Sequence, residues 1–185
     1  MRYTLPLVLV VGLAGCNPYM AATAVVRETY GTATDLRSLS TQATDTEAEV
    51  QLKAALLASP VQGTDGIDVW CRQGVVLLAG TVPPGSSAGQ EAVRLARETP
   101  GVKRVETYFV RERPSATSDF QIKAEIRGKL IADPDLISGR VDIGVYAGNV
   151  ALVGVVSSPQ KAEQYMATAR SVSGVVSVTS FIQTM

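Results

Sequence analysis

The chain has 185 residues, with 17 basic and 17 acidic side chains and no histidine. This charge balance argues against a nucleic-acid partner, which would need a concentrated basic face. The lack of histidine removes the side chain that most often serves as a general base or as a metal ligand. The composition therefore favours a protein without catalytic residues, metal or cofactor.

The N-terminal residues are typical of an export signal. Arg2 supplies a positive start, and the apolar run at 5–13 is too short to cross a bilayer, for which a helix needs about 20 apolar residues. The run closes on Leu13-Ala14-Gly15-Cys16. An ordinary signal with an incidental cysteine is the alternative. The ending, however, resembles the lipobox of bacterial lipoproteins, which implies that residues 1–15 are removed and that Cys16 is acylated.

The residue after this cysteine bears on sorting. An Asp directly after the cysteine resembles the inner-membrane retention signal of enterobacterial lipoproteins. Asn17 stands there instead. The resemblance therefore implies an anchor in the outer membrane, with the protein facing the periplasm.

Residues 16–43 form a predicted lipidated N-terminus and flexible tether. The segment is rich in Ala, Thr and Ser and has few apolar side chains to bury. Val25, Val26 and Tyr30 could dock locally. The folded part of the chain is therefore expected to begin near residue 44.

The first unit, residues 44–111, is predicted to run helix, strand, strand, helix, strand. Thr44 or Asp45 can cap its first helix, which carries an apolar stripe at helical spacing. Gln73-Gly74 is predicted to be a tight turn between two strands. The predicted elements are a helix that ends at Ser59-Pro60, strands at 67–72 and 75–82, a helix from Ser86 or Ser87 to about Thr99, and a strand at 102–110.

The second unit, residues 118–185, follows a linker at 112–117 and repeats the same order. Ser118 can cap its first helix, and Ser158-Pro159 gives a cap and a proline at the first position of its second helix. The predicted strands are 140–146 and 150–157, with a turn at Gly148-Asn149, and 175–184.

The two units are copies of one another at an offset of 74 residues, which falls to 73 near the second helix. The matched positions are glycines at turns and apolar residues at strand spacing, as two copies of one fold require. Asp68 and Asp142 also correspond, and we interpret them as exposed strand residues rather than as an acid and a base. No recurring arrangement suggests chemistry, so the repeat favours a binding or scaffolding module over an enzyme.

The order of elements predicts the fold class. Strands joined through a helix pair in parallel with a right-handed crossover, and strands joined by a tight turn pair antiparallel. The prediction is an α+β protein of two tandem αββαβ units, each a three-stranded mixed sheet backed by two helices on one face.

The opposite face of each sheet is also apolar and needs a cover. In the second strands of the units this face carries Val75, Leu77 and Ala79 and then Val153 and Val155. Packing of the two units against each other would cover it. A partner protein, a second copy of the chain or a lipid are the alternatives.

Cys71 is the cysteine that remains if Cys16 is acylated, so no intrachain disulfide is expected. It alternates with Ile67 and Val69, which predicts a small buried side chain. A reactive thiol is the alternative.

The hairpin and closing motifs of both units resemble those of the BON domain. The first reads Ile67-Asp68-Val69 followed by Gly74-Val75-Val76-Leu77-Leu78-Ala79-Gly80-Thr81-Val82 and closes with Pro100-Gly101-Val102. The second reads Val141-Asp142-Ile143 followed by Gly148-Asn149-Val150-Ala151-Leu152-Val153-Gly154 and closes with Ser173-Gly174-Val175. A lipobox, a tether and two such units are similar to the dual-BON outer-membrane lipoproteins associated with division and envelope stress.

This resemblance implies binding to an anionic phospholipid membrane, largely through the first helix of the second unit, and a role in keeping the outer membrane intact. Osmotically inducible members of the family are soluble periplasmic proteins with the same units. The residues that the resemblance implies for lipid binding are Phe120, Lys123, Arg127, Lys129 and Ile131.

The residues themselves leave two interpretations of that helix open. Basic heads beside an apolar edge suit anionic headgroups. An ordinary solvated helix face with a Glu125–Lys129 pair is the alternative. The family's best-known lipid binder has a tryptophan near the start of this helix, where this chain has Phe120.

Two hypotheses of function follow. The first is a lipid-anchored periplasmic module that binds anionic phospholipid and supports outer-membrane integrity. The alternative is a periplasmic scaffold that contacts another envelope protein through its sheet faces near Trp70 and Val153. The sequence makes no prediction of an oligomeric state.

Overall fold

The structure is a computed structural model that describes residues 35–83, 85–113, 117–137 and 139–185. The predicted signal, the lipidation site at Cys16 and most of the predicted tether lie outside these residues. The described residues form two units, each with the order helix, strand, strand, helix, strand.

The two units have matching elements. The first contains α1 (Leu39–Ala58), β1 (Asp68–Arg72), β2 (Val75–Thr81), α2 (Ser87–Glu98) and β3 (Arg104–Val110). The second contains α3 (Asp119–Ala132), β4 (Val141–Tyr146), β5 (Asn149–Val156), α4 (Pro159–Arg170) and β6 (Ser177–Thr184).

Each unit has a three-stranded sheet with its second strand in the middle. The hairpin strands β1 and β2 are antiparallel, and β2 and β3 are parallel because α2 carries the chain back across the sheet. The second sheet pairs β4, β5 and β6 in the same way. The predicted α+β fold of two tandem units is confirmed.

The first helix begins earlier than predicted. Ser38 caps α1 by accepting a hydrogen bond from the Thr41 amide at 3.2 Å, so the helix starts at Leu39 and the prediction of a cap at Thr44 or Asp45 is wrong. Asp45 lies inside α1 and is buried, with 2% of its surface exposed. Asp45 is buried because its carboxylate binds backbone amides of the hairpin turn instead of capping the helix.

That carboxylate holds the hairpin turn of its unit. It accepts the backbone amides of Gln73 and Gly74 at 2.7 and 2.8 Å. In the second unit, Asp119 accepts the equivalent amides of Ala147 and Gly148 at the same two distances. Charged acceptors form the stronger class of hydrogen bond. The first helix of each unit is therefore fixed to its hairpin by one aspartate.

Both turns have two residues with positive φ, 56° and 78° in the first and 49° and 77° in the second. This is the twist that suits a two-residue hairpin, although a left-handed conformation disfavours a side chain such as that of Ala147. The second turn is Ala147-Gly148, so the predicted Gly148-Asn149 was one residue late; Asn149 already pairs with Tyr146 in the ladder.

The helices of each unit cover one face of its sheet and form a separate core. In the first unit Leu52 and Leu56 of α1 pack with Val76 and Leu78 of β2. The second core is built the same way from Ile122, Ile126 and Leu130 of α3, which pack with Val150 and Leu152 of β5.

The remaining faces of the two sheets pack against each other. Leu77 and Ala79 of β2 form a third cluster with Ala151 and Val153 of β5, and Trp70 packs at its edge. The molecule is thus a four-layer stack of helices, sheet, sheet and helices. The prediction that the units cover each other is confirmed, and the proposed scaffold contact through these faces is wrong because the other unit already occupies them.

Equivalent positions of the two units meet in this interface. Trp70 lies against Gly144, the residue at the equivalent position of the second unit, 74 residues later along the chain. A Cβ added to Gly144 would approach the Trp70 ring to 2.9 Å. Tyr108 and Phe181 correspond at the offset of 73, and their rings meet edge to face with centroids 5.7 Å apart. The units are therefore related by an approximate two-fold axis.

The polar contacts across the interface obey the same symmetry. Arg72 donates to Asp142, and Tyr146 donates to Asp68 at 2.6 Å. Arg72 and Tyr146 are equivalent positions, as are Asp68 and Asp142. The two aspartates that the sequence analysis interpreted as plain strand residues thus each accept a hydrogen bond from the other unit.

We predict opposite effects for two glycine substitutions. Gly144→Ala forces the Trp70 and Tyr146 rings to move, and we expect it to lower the free energy of unfolding by about 1–3 kcal/mol. Gly128→Ala meets nothing within 4 Å on the outside of α3, and we expect it to raise that free energy by up to about 1 kcal/mol. Urea unfolding of both variants measures this; a neutral Gly144→Ala would show that the interface is loosely packed.

Candidate functional site

The outward face of α3 exposes two large apolar side chains to solvent. Ser118 caps this helix and forms a capping box with Gln121. On the side away from the sheet, Phe120 is 80% exposed and Ile131 is 67% exposed. Two large apolar side chains on the solvent side of one helix have no role in the core, so this face calls for a functional explanation.

Helical spacing defines the extent of this face. At about 100° per residue, Phe120, Ala124 and Ile131 lie on the outermost side, and Gly128 continues the same side with open space around it. Lys123 is exposed and Arg127 is half-buried along one edge. We call this set of residues the α3 face.

Four of the five predicted lipid-binding residues lie on or beside the α3 face, and Lys129 does not. Lys129 lies on nearly the opposite side of α3 from Arg127, because two residues along a helix correspond to a rotation of about 200°. Its ammonium group donates to the Ser171 carbonyl at 3.3 Å and to the Ser171 hydroxyl at 3.0 Å, and it lies 3.9 Å from Glu125. Lys129 thus ties α3 to the end of α4.

The first helix of the first unit has a similar outward face that the sequence analysis did not identify. Leu39, Val50 and Leu57 are 73%, 61% and 71% exposed. Leu57 and Ile131 are equivalent at the offset of 74. A second apolar stripe, opposite the buried one, was the signal in the sequence that could have found it.

The charges beside the two faces differ. Glu49 stands at the position of Lys123 and Lys53 at that of Arg127. The Glu49 carboxylate accepts from the Cys71 amide at 2.6 Å and pairs with Arg72 at 2.7 Å. The first unit therefore uses this position to hold its own sheet edge, whereas the second unit presents a cation there.

A polar network joins the start of α1 to β1. Arg37 pairs with Asp35 and Asp45 and lies 3.4 Å from the Cys71 carbonyl. Burial opposes ionisation of Asp35, but the hydrogen bonds and charge of Arg37 outweigh it and lower the pKa of that carboxyl. Residues 35–38 are thus part of the fold rather than of a tether.

Cys71 lies within this network and is fully buried, as predicted. Its thiol contacts the Asp45 carboxylate at 3.4 Å. Burial, followed by the charge of Asp45, raises the pKa of Cys71 from 9.0 to about 12. The thiol therefore keeps its proton at physiological pH, and a reactive thiol is not supported.

Tyr146, at the interface between the units, is affected in the same direction. Burial and its hydrogen bond to Asp68 raise the pKa of Tyr146 well above its usual value of 10.0. The phenol therefore remains a donor to Asp68 over the whole physiological range.

In the parts of the chain that the structure describes, no three His, Cys, Asp or Glu side chains are grouped to hold a metal ion. The described helices also include none that is both long and apolar enough to cross a membrane. The two units present exposed apolar helix faces on opposite outer sides of the four-layer stack.

This architecture defines a class of small tandem αββαβ modules, and the comparisons with known proteins agree. The BON domain family matches residues 44–112 and 118–184. The chain therefore belongs to the BON-domain family.

The chain is also similar to individual proteins. It is 32% identical over 147 residues to the Osmotically-inducible protein Y of Escherichia coli (strain K12), which covers 76% of the chain and 72% of that protein. Two solved structures of CdsD, a structural protein of the Chlamydia trachomatis type III secretion system, align with 76% of the chain and with 67% and 63% of their own lengths. At 14% identity and a TM-score of 0.32, these two differ too much to inform its function.

The raised pKa of Cys71 predicts a loss of stability in alkaline solution. The native chain keeps a proton that the unfolded chain releases above pH 9, so this contribution is complete below pH 9 and is lost as the pH rises to about 12. Urea unfolding at steps across this interval measures it. The decline should be smaller in Cys71→Ala than in the unsubstituted chain, and equal declines would contradict the assignment.

Proposed function

We propose that the chain is a periplasmic module, anchored to the outer membrane by lipid on Cys16, that binds anionic phospholipid through the α3 face and thereby supports outer-membrane integrity. The observation that carries the proposal is the exposure of Phe120 and Ile131. Lys123 and Arg127 lie beside them on the same helix. The membership of the BON-domain family agrees with a binding role in the cell envelope.

The chemistry of the α3 face matches an interfacial helix. Apolar side chains of such a helix enter the boundary between headgroups and acyl chains, while cations at its edge meet the phosphates. Each Lys or Arg near an anionic surface is worth about 1 kcal/mol. Lys123 and Arg127 are exposed or half-exposed, so salt should weaken the binding.

The anchor and the α3 face can serve the same membrane. Residues 17–34 link Cys16 to the described fold. Covalent geometry limits them to about 3.6 Å per residue, or about 65 Å in all, which exceeds the diameter of a domain of this size. The predicted anchor would therefore act mainly by keeping a weakly binding surface close to its lipid.

The direct test is vesicle binding by the chain from Asn17 to Met185, which lacks only the predicted signal and lipidation site. We expect it to sediment with vesicles of phosphatidylcholine and phosphatidylglycerol and not with phosphatidylcholine alone, and we expect added salt to release it. Equal binding to both kinds of vesicle, or binding to neither, would remove the proposal.

The charges at the edge of the α3 face should decide this preference. Reversing both, with Lys123→Glu and Arg127→Glu, should weaken binding to phosphatidylglycerol vesicles at least about tenfold, because each cation contributes about 1 kcal/mol. The matched control is Lys53→Glu with Arg97→Glu, which changes the net charge equally on exposed sites of the first unit. Equal losses in the two double variants would indicate a response to net charge rather than a binding site.

The apolar part of the α3 face should enter the membrane. Phe120→Trp places a fluorescent probe on its outermost side, and we expect a blue shift in emission when anionic vesicles are added, because the indole leaves water. Trp70 is held between the sheets and gives a background that the unsubstituted chain measures. An unshifted spectrum with bound protein would mean that the contact is made by charges alone.

A further inference from the structure

The second sheet is open at the edge formed by β6. Its strand order is β4, β5, β6, so within the described residues β6 has a neighbouring strand on one side only. The Met185 amide donates to the Val156 carbonyl at the end of β5, at 3.0 Å. Because alternate residues of a parallel strand bond to the same neighbour, the amides of Val178, Ser180 and Ile182 are directed away from β5. β6 therefore presents a row of backbone donors and acceptors to solvent.

The amide of Ile182 illustrates what this edge lacks. It donates to the hydroxyl of Ser180, two residues earlier on the same strand, at 3.3 Å. A neighbouring strand would offer a backbone carbonyl at this place. The hydroxyl of Ser180 therefore takes the place of a strand that the sheet does not have.

Among the four edge strands of the two described sheets, β6 is the one without a charged side chain. Asp68 and Arg72 lie in β1, Arg104 and Glu106 lie in β3, and Asp142 lies in β4. Charges on an edge strand discourage the addition of a further strand. β6 is also the longest of the four, with eight residues that include neither glycine nor proline. It is therefore the edge best suited to strand addition.

A cavity lies beside the same strand. Its volume is about 180 Å³, and residues of both β3 and β6 line it, so it adjoins the edges of the two sheets. An apolar cavity of about 150 Å³ is large enough to hold benzene, so this one can hold a single apolar side chain. Its apolar wall consists of Val75, Leu77, Val153 and Phe181.

The polar groups at this cavity favour a neutral side chain. Arg72 and Arg104 both line it. Arg104 pairs with Glu106 at 2.8 Å, and Arg72 pairs with Glu49 at 2.7 Å. A charged side chain would have to displace one of these carboxylates, and breaking an ion pair that is shielded from water is costly.

We propose that β6 binds an extended segment of another protein, which joins the sheet as a fourth strand and places an apolar side chain in the cavity. In this mode of recognition the backbone hydrogen bonds give affinity, and the pocket for an alternate side chain gives specificity. This binding does not depend on the proposed lipid site, which lies on α3.

A second copy of β6 fits this site less well than another sequence does. The cavity side of β6 carries Thr179, Phe181 and Gln183. The ring of Phe181 packs against Tyr108 of its own chain, and Gln183 donates to the Arg72 carbonyl of its own chain at 3.0 Å. The one large apolar side chain on that side is therefore already held and cannot enter the cavity of a neighbour.

Peptide titration of the chain from Asn17 to Met185 tests the site and its pocket. The probe is a capped, fluorescently labelled peptide of alternating threonine and leucine with a lysine at each end. We expect it to bind at least about tenfold more tightly than the same peptide with alanine in place of leucine, because leucine buries more apolar surface. Equal binding of the two peptides, or no binding of the leucine peptide up to about 1 mM, would overturn the proposal.

A matched pair of proline variants locates the binding. Ser180→Pro removes an outward amide and leaves the ladder to β5 in place, as proline on an edge strand can. Thr107→Pro makes the same change at the equivalent position of β3. We expect Ser180→Pro to weaken binding of the leucine peptide at least about tenfold and Thr107→Pro to leave it unchanged, with urea unfolding as the check that both variants are folded. Equal affinities of the two folded variants would contradict binding at β6.

Hydrogen exchange followed by NMR tests the same edge without any substitution. Bound leucine peptide should slow exchange of the Val178 and Ser180 amides at least about tenfold and leave that of Thr107 unchanged, because an added strand protects only the amides that it bonds. Unchanged exchange at Val178 and Ser180 with bound peptide would overturn the proposal. So would a dimer in sedimentation equilibrium that Ser180→Pro dissociates, since a second copy would then occupy the edge.

Discussion

The structure depends on the burial of the sheet faces that the helices leave uncovered. Each unit has about as few residues as a domain needs to fold alone, and a three-stranded sheet with helices on one side leaves half of its surface apolar. The interface meets this need with equivalent residues from both units. Leu77 and Ala79 of the first unit pack with Ala151 and Val153 of the second. Leu77 is larger than its equivalent Ala151, whereas Ala79 is smaller than its equivalent Val153.

The sheet faces are buried against each other, whereas the outward faces of α1 and α3 expose large apolar side chains to solvent. α1 and α3 descend from one repeated element, and they keep an apolar outward face in both units. Their edges have diverged: Lys123 is directed toward solvent, whereas its counterpart Glu49 accepts the Cys71 amide and pairs with Arg72. The two outward faces therefore differ in charge at this pair of equivalent positions.

Local patterns predicted most of the fold, and longer-range contacts account for the errors. Apolar periodicity located the helices and strands, since both are local. Asp45 looked like a cap because of its residue type, but its carboxylate holds a turn 28 residues away. The second turn was placed at Gly148-Asn149 because those residues favour positive φ, whereas the amides that Asp119 binds select Ala147 instead. At the candidate site, Lys129 is close to Arg127 in sequence but on another side of the helix.

The contact between Trp70 and Gly144 has a consequence for the ancestry and engineering of the chain. An indole fills the space that a second indole would need, so two copies of the first unit cannot assemble through this surface as the natural pair does. The two halves are copies of one unit whose interface residues have since become different and complementary. A chimera that joins two copies of the first half should therefore fail to form the sandwich.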